Sequence, residues 1–184
     1  MVAFPEQASA TPFKWLMLNW NPQGHIPPGV YDVPHHDFHF YIMDQSKLAE
    51  IKPGTCEAGG EGVDCETFER GMAPVPSEHL APDHIAVGAV VPMMGNHLID
   101  TTSPEFSPAG FTHTFIYGSF DAEIIFYEPM ITREFLLGNP QNACAPIKQP
   151  QSFAQKNYYP TEYCMRYNQD DNTYTVSLEK FIAG

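Results

Sequence analysis

Hydrophobic and polar residues alternate with a period of two along much of this chain. The clearest run is residues 35–44. In this run, one side is formed by Phe38, Phe40 and Ile42. The other side is formed by Asp37, His39 and Tyr41. Because successive side chains of a strand project to opposite faces, this run predicts a β-strand. One face of that strand is apolar, and the other carries histidine and aspartate.

Shorter runs of the same kind predict the rest of the fold. Strands are predicted at residues 14–20, 84–91, 112–118 and 122–128, with a closing hairpin at 162–167 and 173–182 and a strand or short helix at 131–137. The 18 prolines and 13 glycines interrupt helices, and the 13 phenylalanines and 9 tyrosines suit a pleated sheet. The sequence therefore predicts an all-β fold, a single-domain antiparallel β-barrel or barrel-like sandwich over residues 1–184.

Two segments interrupt the strand pattern. Residues 1–13 are predicted to form an extended N-terminal arm, and residues 45–83 a long irregular loop with a short helix at 45–51. An irregular stretch of this length is typical of a functional lid or of a loop held together by disulfide bonds.

The four cysteines are Cys56, Cys65, Cys144 and Cys164, and three pairings are possible. We favour the two local pairs, Cys56–Cys65 and Cys144–Cys164, over the alternative of four reduced thiols. The first pair would close an acidic, glycine-rich loop. Since disulfides persist in oxidising compartments, we expect a secreted or periplasmic protein, with this chain as the mature form that lacks the export signal.

Composition and charge exclude two classes of partner. The chain has 22 acidic and 9 basic residues, a formal net charge of −13, which argues against binding to nucleic acid. The longest nearly uncharged stretch, residues 85–97, is interrupted by proline and glycine and is too short to cross a bilayer, so no membrane span is predicted.

Histidine is the residue type that suggests chemistry. Four of the eight histidines fall between positions 25 and 39, and His35, Asp37 and His39 share one face of the predicted strand. Neighbours in that row lie about 6.6 Å apart at Cα, whereas His35 and His39 lie about 13 Å apart if the strand is straight. Both histidines would therefore bind one ion only if the strand bends. Otherwise Asp37 is a ligand or orients a histidine.

Two other segments offer further ligands. His97 follows a glycine turn, and Glu128 ends a predicted strand among aromatic residues. We predict that His35, His39, His97 and Glu128 hold a divalent metal ion with Asp37 in support. Zinc is the first choice, and iron, nickel or manganese are the alternatives.

Three residues near the proposed ligands are candidates for catalysis. They are Tyr41, His25 and Asp37, as acids, bases or hydrogen-bond donors. Among the other histidines, His113 is predicted to be structural, and His79 and His84 to be solvated.

Several long motifs resemble a family of bacterial domains of unknown function, typified by a small protein from a thermophile. The motifs are residues 19–41 (NWNPQGHIPPGVYDVPHHDFHFY), 91–97 (VPMMGNH), 111–118 (FTHTFIYG) and 128–132 (EPMIT). The resemblance implies a β-rich single domain, often exported, that associates into homo-oligomers, but it implies no reaction. The positions that match its pattern are His25, His35, Asp37, His39, His97 and Glu128. The chain departs from it at His36 and Leu98, where the family has phenylalanine and tryptophan.

The leading hypothesis is an exported metal-binding β-barrel protein that acts as a metal-dependent hydrolase or lyase. Its substrate would be a small, partly apolar organic molecule, because aromatic residues are abundant around the predicted site. One alternative is a non-enzymatic metal- or ligand-binding protein of the envelope or of a stress response. The other is a purely structural network of buried hydrogen bonds between histidines and aspartate.

Overall fold

The computed structural model describes residues 1–57 and 62–184. Strands predominate among them: β1 (Val2–Ala3), β2 (Trp15–Asn21), β3 (His35–Tyr41), β4 (His84–Ala86), β5 (Asn96–Asp100), β6 (His113–Phe120), β7 (Glu123–Thr132), β8 (Ala143–Pro146), β9 (Tyr158–Asn168) and β10 (Thr173–Ala183). The helices are α1 (Gln45–Leu48), α2 (Cys65–Gly71) and α3 (Arg133–Leu137), with 3-10 turns at Glu6–Ala8 and Pro104–Phe106. The prediction of a mostly β protein is confirmed. No helix of the described residues is long and apolar enough to span a bilayer.

The strands form two antiparallel sheets. The larger has seven strands in the order β1-β2-β3-β7-β6-β5-β4, and the smaller has three in the order β10-β9-β8. Within the described part of the chain, the outermost strands β1 and β4 do not pair with each other, and no closed barrel is formed. Strand β3, the strand with the alternating pattern, lies inside the larger sheet between β2 and β7.

The two faces of the larger sheet have different surroundings. On one face, aromatic residues of the larger sheet pack against β9 of the smaller sheet in a shared hydrophobic core. The buried members of that core are Phe13, Phe40, Ala81, Leu98, Phe115, Tyr117, Tyr127, Ile131, Leu136, Ile147, Tyr159, Tyr163 and Met165. The opposite face carries His35, Asp37, His39 and Tyr41, all buried. The alternation along β3 therefore separates the core that joins the sheets from a polar, buried region.

The region predicted as a long irregular loop contains ordered structure. Helix α1 lies close to the predicted position, but helix α2 was not predicted. Asp64 caps α2 because its carboxylate accepts a hydrogen bond from the backbone N–H of Thr67 at 2.7 Å. A helix of seven residues is too short for its hydrophobic periodicity to stand out among the surrounding acidic and glycine residues.

Both predicted disulfides are present, and the alternative of free thiols is wrong. Cys56 is bonded to Cys65 at the first residue of α2, and Cys144 is bonded to Cys164. The second bond joins directly opposite residues of β8 and β9. Residues 58–61, the centre of the predicted acidic loop, lie outside the described residues.

Two histidines outside the predicted ligand set are also partly or fully buried. His113 at the start of β6 forms a hydrogen bond between Nδ1 and the hydroxyl of Tyr163 on β9, 2.8 Å long, which links the two sheets. His84 was predicted to be solvated, but it is buried, and its Nδ1 donates to the carbonyl of Pro82 at 3.0 Å. Pairing of β4 with β5 turns this side chain inward, which sequence spacing alone did not indicate.

Gly118 in β6 permits a close approach between two strands. A Cβ atom at this position would collide with the ring of Phe126 on β7. Phe126 is fully buried, so its ring has no room to move aside.

We predict that Gly118→Ala lowers the free energy of unfolding by about 1–3 kcal/mol, because it overpacks the core. Urea denaturation measures the change. Gly138→Ala is the control, since Gly138 has an ordinary φ of −69° and no neighbouring atom closer than 3.1 Å. Equal stability of the two variants would contradict the prediction.

We also predict an acid-sensitive contribution from His113. Partial burial lowers the pKa of His113 below its usual 6.5. Between the lowered pKa and 6.5 the unfolded chain binds a proton that the folded chain excludes, so stability falls as the pH drops below about 6.5.

Denaturation curves from pH 7 to pH 5 test this expectation. His113→Gln should show a shallower loss of stability than the wild type. Tyr163→Phe removes the hydrogen bond but keeps the histidine buried, and it should retain the wild-type dependence on pH. An unchanged slope in His113→Gln would overturn the prediction.

Candidate metal centre

A cavity of about 420 Å³ opens over the polar face of the larger sheet. Strands β2, β3, β5, β6 and β7 contribute to its wall, together with the loops near residues 25–31 and 87–94. The side chains of His25, Asp37, His39, His97 and Glu128 all line it. Five of the residues singled out from the sequence therefore face one cavity.

Strand pairing places His39 beside Glu128. Asp37 lies opposite Met130 and Phe40 opposite Tyr127, and the same register sets His39 opposite Glu128 on the cavity face. Directly opposite side chains on one face are close neighbours. The His39 Nε2 atom lies 3.2 Å from Glu128 Oε1, and both side chains are almost completely buried.

His97 completes this cluster from a strand that is not adjacent to β7. It lies on β5 opposite Gly118 of β6, and β6 separates it from Glu128. The ring of Phe126 lies beneath both imidazoles, with centroids 4.9 Å from His39 and 5.6 Å from His97. One ligand atom each from His39, His97 and Glu128 lies within 4.8 Å of the others.

Burial favours the neutral form of every member of this cluster. It lowers the pKa of His39 to about 3 and also lowers the pKa of His97. It raises the pKa of Glu128 well above its usual range, and the charge of Asp37 adds to the effect. Neither His39 Nε2 nor Glu128 Oε2 makes a hydrogen bond with any described residue. Leaving a buried polar atom without a partner costs about 1–3 kcal/mol of folding free energy. A bound cation would provide the missing partner for both atoms.

A second cluster adjoins the same wall: His25 and Asp37 line the cavity, whereas His35 is completely buried and is not one of the lining residues. His25, His35 and Asp37 also bring one ligand atom each within 4.8 Å of the others. The His35 Nε2 atom is 3.1 Å from Asp37 Oδ1, and the His25 Nε2 atom is 3.5 Å from Asp37 Oδ2. The Asn21 side-chain amide donates to Asp37 Oδ2 at 2.6 Å. Burial raises the pKa of Asp37, but its contacts with His25 and His35 outweigh burial and hold the pKa well below the usual range.

The structure divides the predicted ligands between these clusters. His39, His97 and Glu128 come together as expected, whereas His35 lies with His25 and Asp37. Strand β3 pairs with β2 in an unbroken register over its whole length, without the bend that a single shared ion required. The spacing along the strand therefore keeps His35 and His39 in separate clusters.

Two residues of interest lie away from the cavity wall. Tyr41 is fully buried, stacks on Trp15 and donates its hydroxyl proton to the carbonyl of Met93 at 3.0 Å. Tyr41 is not one of the described residues that line the cavity, so its hydroxyl does not reach the site where the sequence predicted a catalytic role for it. His36 stacks against Trp20, with ring centroids 4.5 Å apart.

Sequence reasoning missed Asn21 and Tyr31. Asn21 is the last residue of β2 and lies opposite His35, so extending the predicted strand by one residue would have placed it on the cavity face. Tyr31 lines the cavity and donates its hydroxyl to Glu105 at 3.0 Å, a contact across 74 residues that local pattern does not reveal.

Comparisons of the chain with protein-family models, curated proteins and solved structures give no match.

Proposed function

We propose that this chain is a metal-dependent hydrolase or lyase whose ion, zinc in the first instance, is held by His39, His97 and Glu128. One observation carries the proposal: two imidazoles and a carboxylate present ligand atoms within 4.8 Å of one another on the wall of a cavity. Zinc–ligand distances near 2.0–2.1 Å place neighbouring ligand atoms of a tetrahedral site roughly 3.4 Å apart. The 3.2 Å between His39 Nε2 and Glu128 Oε1 is close to that spacing.

The hydrogen bonding of His97 supports a role as a ligand. Its Nδ1 lies 2.9 Å from the carbonyl oxygen of Ala89. A carbonyl oxygen only accepts, so Nδ1 carries the proton, and the neutral ring presents the lone pair of Nε2. Histidines that bind metals are commonly oriented by such a bond at the other ring nitrogen.

Three protein ligands leave room for a substrate or a water molecule, as in catalytic rather than structural zinc sites. An ion held there would polarise a substrate oxygen or activate water. Ile26, Val87, Val91, Met94 and Ile99 supply apolar lining to the same cavity, which favours a small, partly apolar organic substrate. The donor set also suits iron, nickel or manganese.

A second candidate function is binding without catalysis. The same residues would then store or sense an ion or an apolar ligand in the envelope or during stress. A purely structural network is favoured by one observation, the 2.6 Å hydrogen bond from Asn21 that holds Asp37 against its histidine neighbours. In that case the cavity would bind no metal.

Location, assembly and relationship complete the proposal. The two disulfides are typical of proteins from oxidising compartments, and we propose that the protein is secreted or periplasmic. We further propose that the chain is one domain in which the packed sheets form a barrel-like sandwich. The motif resemblance supports membership of the bacterial family described above and assembly into homo-oligomers.

Zinc content tests the centre. We expect His97→Ala and Glu128→Gln each to reduce the bound zinc by one equivalent per chain after dialysis against Zn²⁺ and removal of free metal. Glutamine keeps the shape of the carboxyl side chain, so Glu128→Gln should retain the fold, as checked by circular dichroism. His84→Ala is the matched control, because His84 is buried and bonded to a backbone carbonyl in the same way but lies outside both clusters.

Zinc that remains unchanged in both variants would remove the proposal. Zinc lost equally from His84→Ala would indicate general destabilisation, and thermal melting of each variant separates that effect.

Catalysis is tested with the metal-loaded protein on panels of esters, lactones and epoxides. We expect turnover that a chelator abolishes and added Zn²⁺ restores, and that His97→Ala lacks. A zinc-loaded protein that is inert on all three panels would favour the binding function instead.

A further inference from the structure

We propose that His25, His35 and Asp37 hold a second divalent cation in the same cavity, beside the first. This proposal extends the proposed function, because it makes the cavity a centre for two cations. It also gives a ligand role to His25, which the sequence predicts as an acid, a base or a hydrogen-bond donor, and it makes Asp37 a direct ligand rather than a supporting residue.

Hydrogen bonds orient both histidines as ligands. The Nδ1 atoms of His25 and His35 lie 2.8 Å and 2.7 Å from the carbonyl oxygens of Ile26 and Val33. Because these oxygens only accept, each Nδ1 carries a proton, and Nε2 is the ring nitrogen that faces the Asp37 carboxylate. His97, which lines the cavity, is held by a backbone carbonyl in the same way.

The Oδ1 atom of Asp37 is buried beside a histidine ring nitrogen. His35 Nε2 lies 3.1 Å from Asp37 Oδ1, and no described residue makes a well-directed hydrogen bond with that oxygen. A metal ion placed between these two atoms would bind both. The Asn21 amide donates to Asp37 Oδ2 at 2.6 Å and also lies 3.3 Å from His35 Nε2, so Oδ1 is the carboxylate oxygen that a cation would bind.

The position of this cluster suits a paired centre. His35, Asp37 and His39 occupy alternate positions of β3, about 6.6 Å apart at Cα, so the two clusters are neighbours on one strand face. Two-metal sites place their ions about 3.5–4 Å apart and clamp an oxygen of the substrate between them.

The charge of such a centre indicates a class of substrate. Two divalent cations exceed the charge of the two carboxylates, Asp37 and Glu128, and leave a net positive centre in an otherwise buried wall. A positive centre beside an apolar lining favours a molecule with an anionic head, a carboxylate or a phosphate ester, and an apolar body.

Zinc stoichiometry tests the second site. We expect two equivalents of Zn²⁺ per chain in the wild type, one in His35→Ala, one in His97→Ala and none in the double variant. Asp37→Asn keeps the shape of the side chain and should also bind one equivalent, which guards against loss of folding in His35→Ala. His84→Ala should retain two. Anomalous diffraction at the zinc edge would locate each ion.

The outcomes separate this proposal from the preceding one. One equivalent in the wild type, lost in His97→Ala but kept in His35→Ala and Asp37→Asn, would overturn the second site and leave the first. One equivalent lost only in His35→Ala and Asp37→Asn would overturn the first centre and support the second. A wild type that binds no zinc would overturn both.

Discussion

The pairing of strand β3 with β2 on one side and β7 on the other determines where every polar group of the cavity lies. Its alternation sends Phe38 and Phe40 toward the core shared with the smaller sheet, and it sends the polar residues to the opposite face. Because a shift of one residue would exchange the two faces, the hydrophobic core and the candidate site depend on one register. The same strand pairing therefore stabilises the fold and positions the candidate site.

Burial is the second constraint, and it acts on the ligands directly. Removal of ionisable groups from water favours their neutral forms. Burial therefore lowers the pKa values of His39 and His97 and raises the pKa of Glu128. The cluster around Asp37 behaves differently, because its contacts keep that carboxylate ionised. A buried charge is tolerated only with compensation, by hydrogen bonds or by a cation. The two clusters thus meet the same physical demand by different means, and a bound metal ion would provide the compensation in both.

Much of the candidate site followed from short-range pattern. Pairing each cysteine with the next one along the chain predicted both disulfides. The period of two in residues 35–44 predicted which side chains share a face. The separation of His35 from His39 also follows from strand geometry, since the prediction that they share an ion required a bend that β3 does not have. Helix α2 and the inward orientation of His84 were missed, because each depends on capping or pairing with little local periodicity.

By itself, the sequence determined the faces of β3, the mostly β class and the local cystine pairs, because each depends on residues that are near one another along the chain. Only the tertiary structure decided which histidines share a ligand cluster. His97 reaches Glu128 because β5 and β7 both flank β6, and Gly118 leaves space for the aromatic ring beneath them. His25 reaches Asp37 from the loop between β2 and β3, and the sequence of that loop has no periodicity from which the direction of the side chain could be predicted. Strand order and loop direction are set by packing across the whole molecule, and that is the physical reason why spacing along the chain did not reveal them.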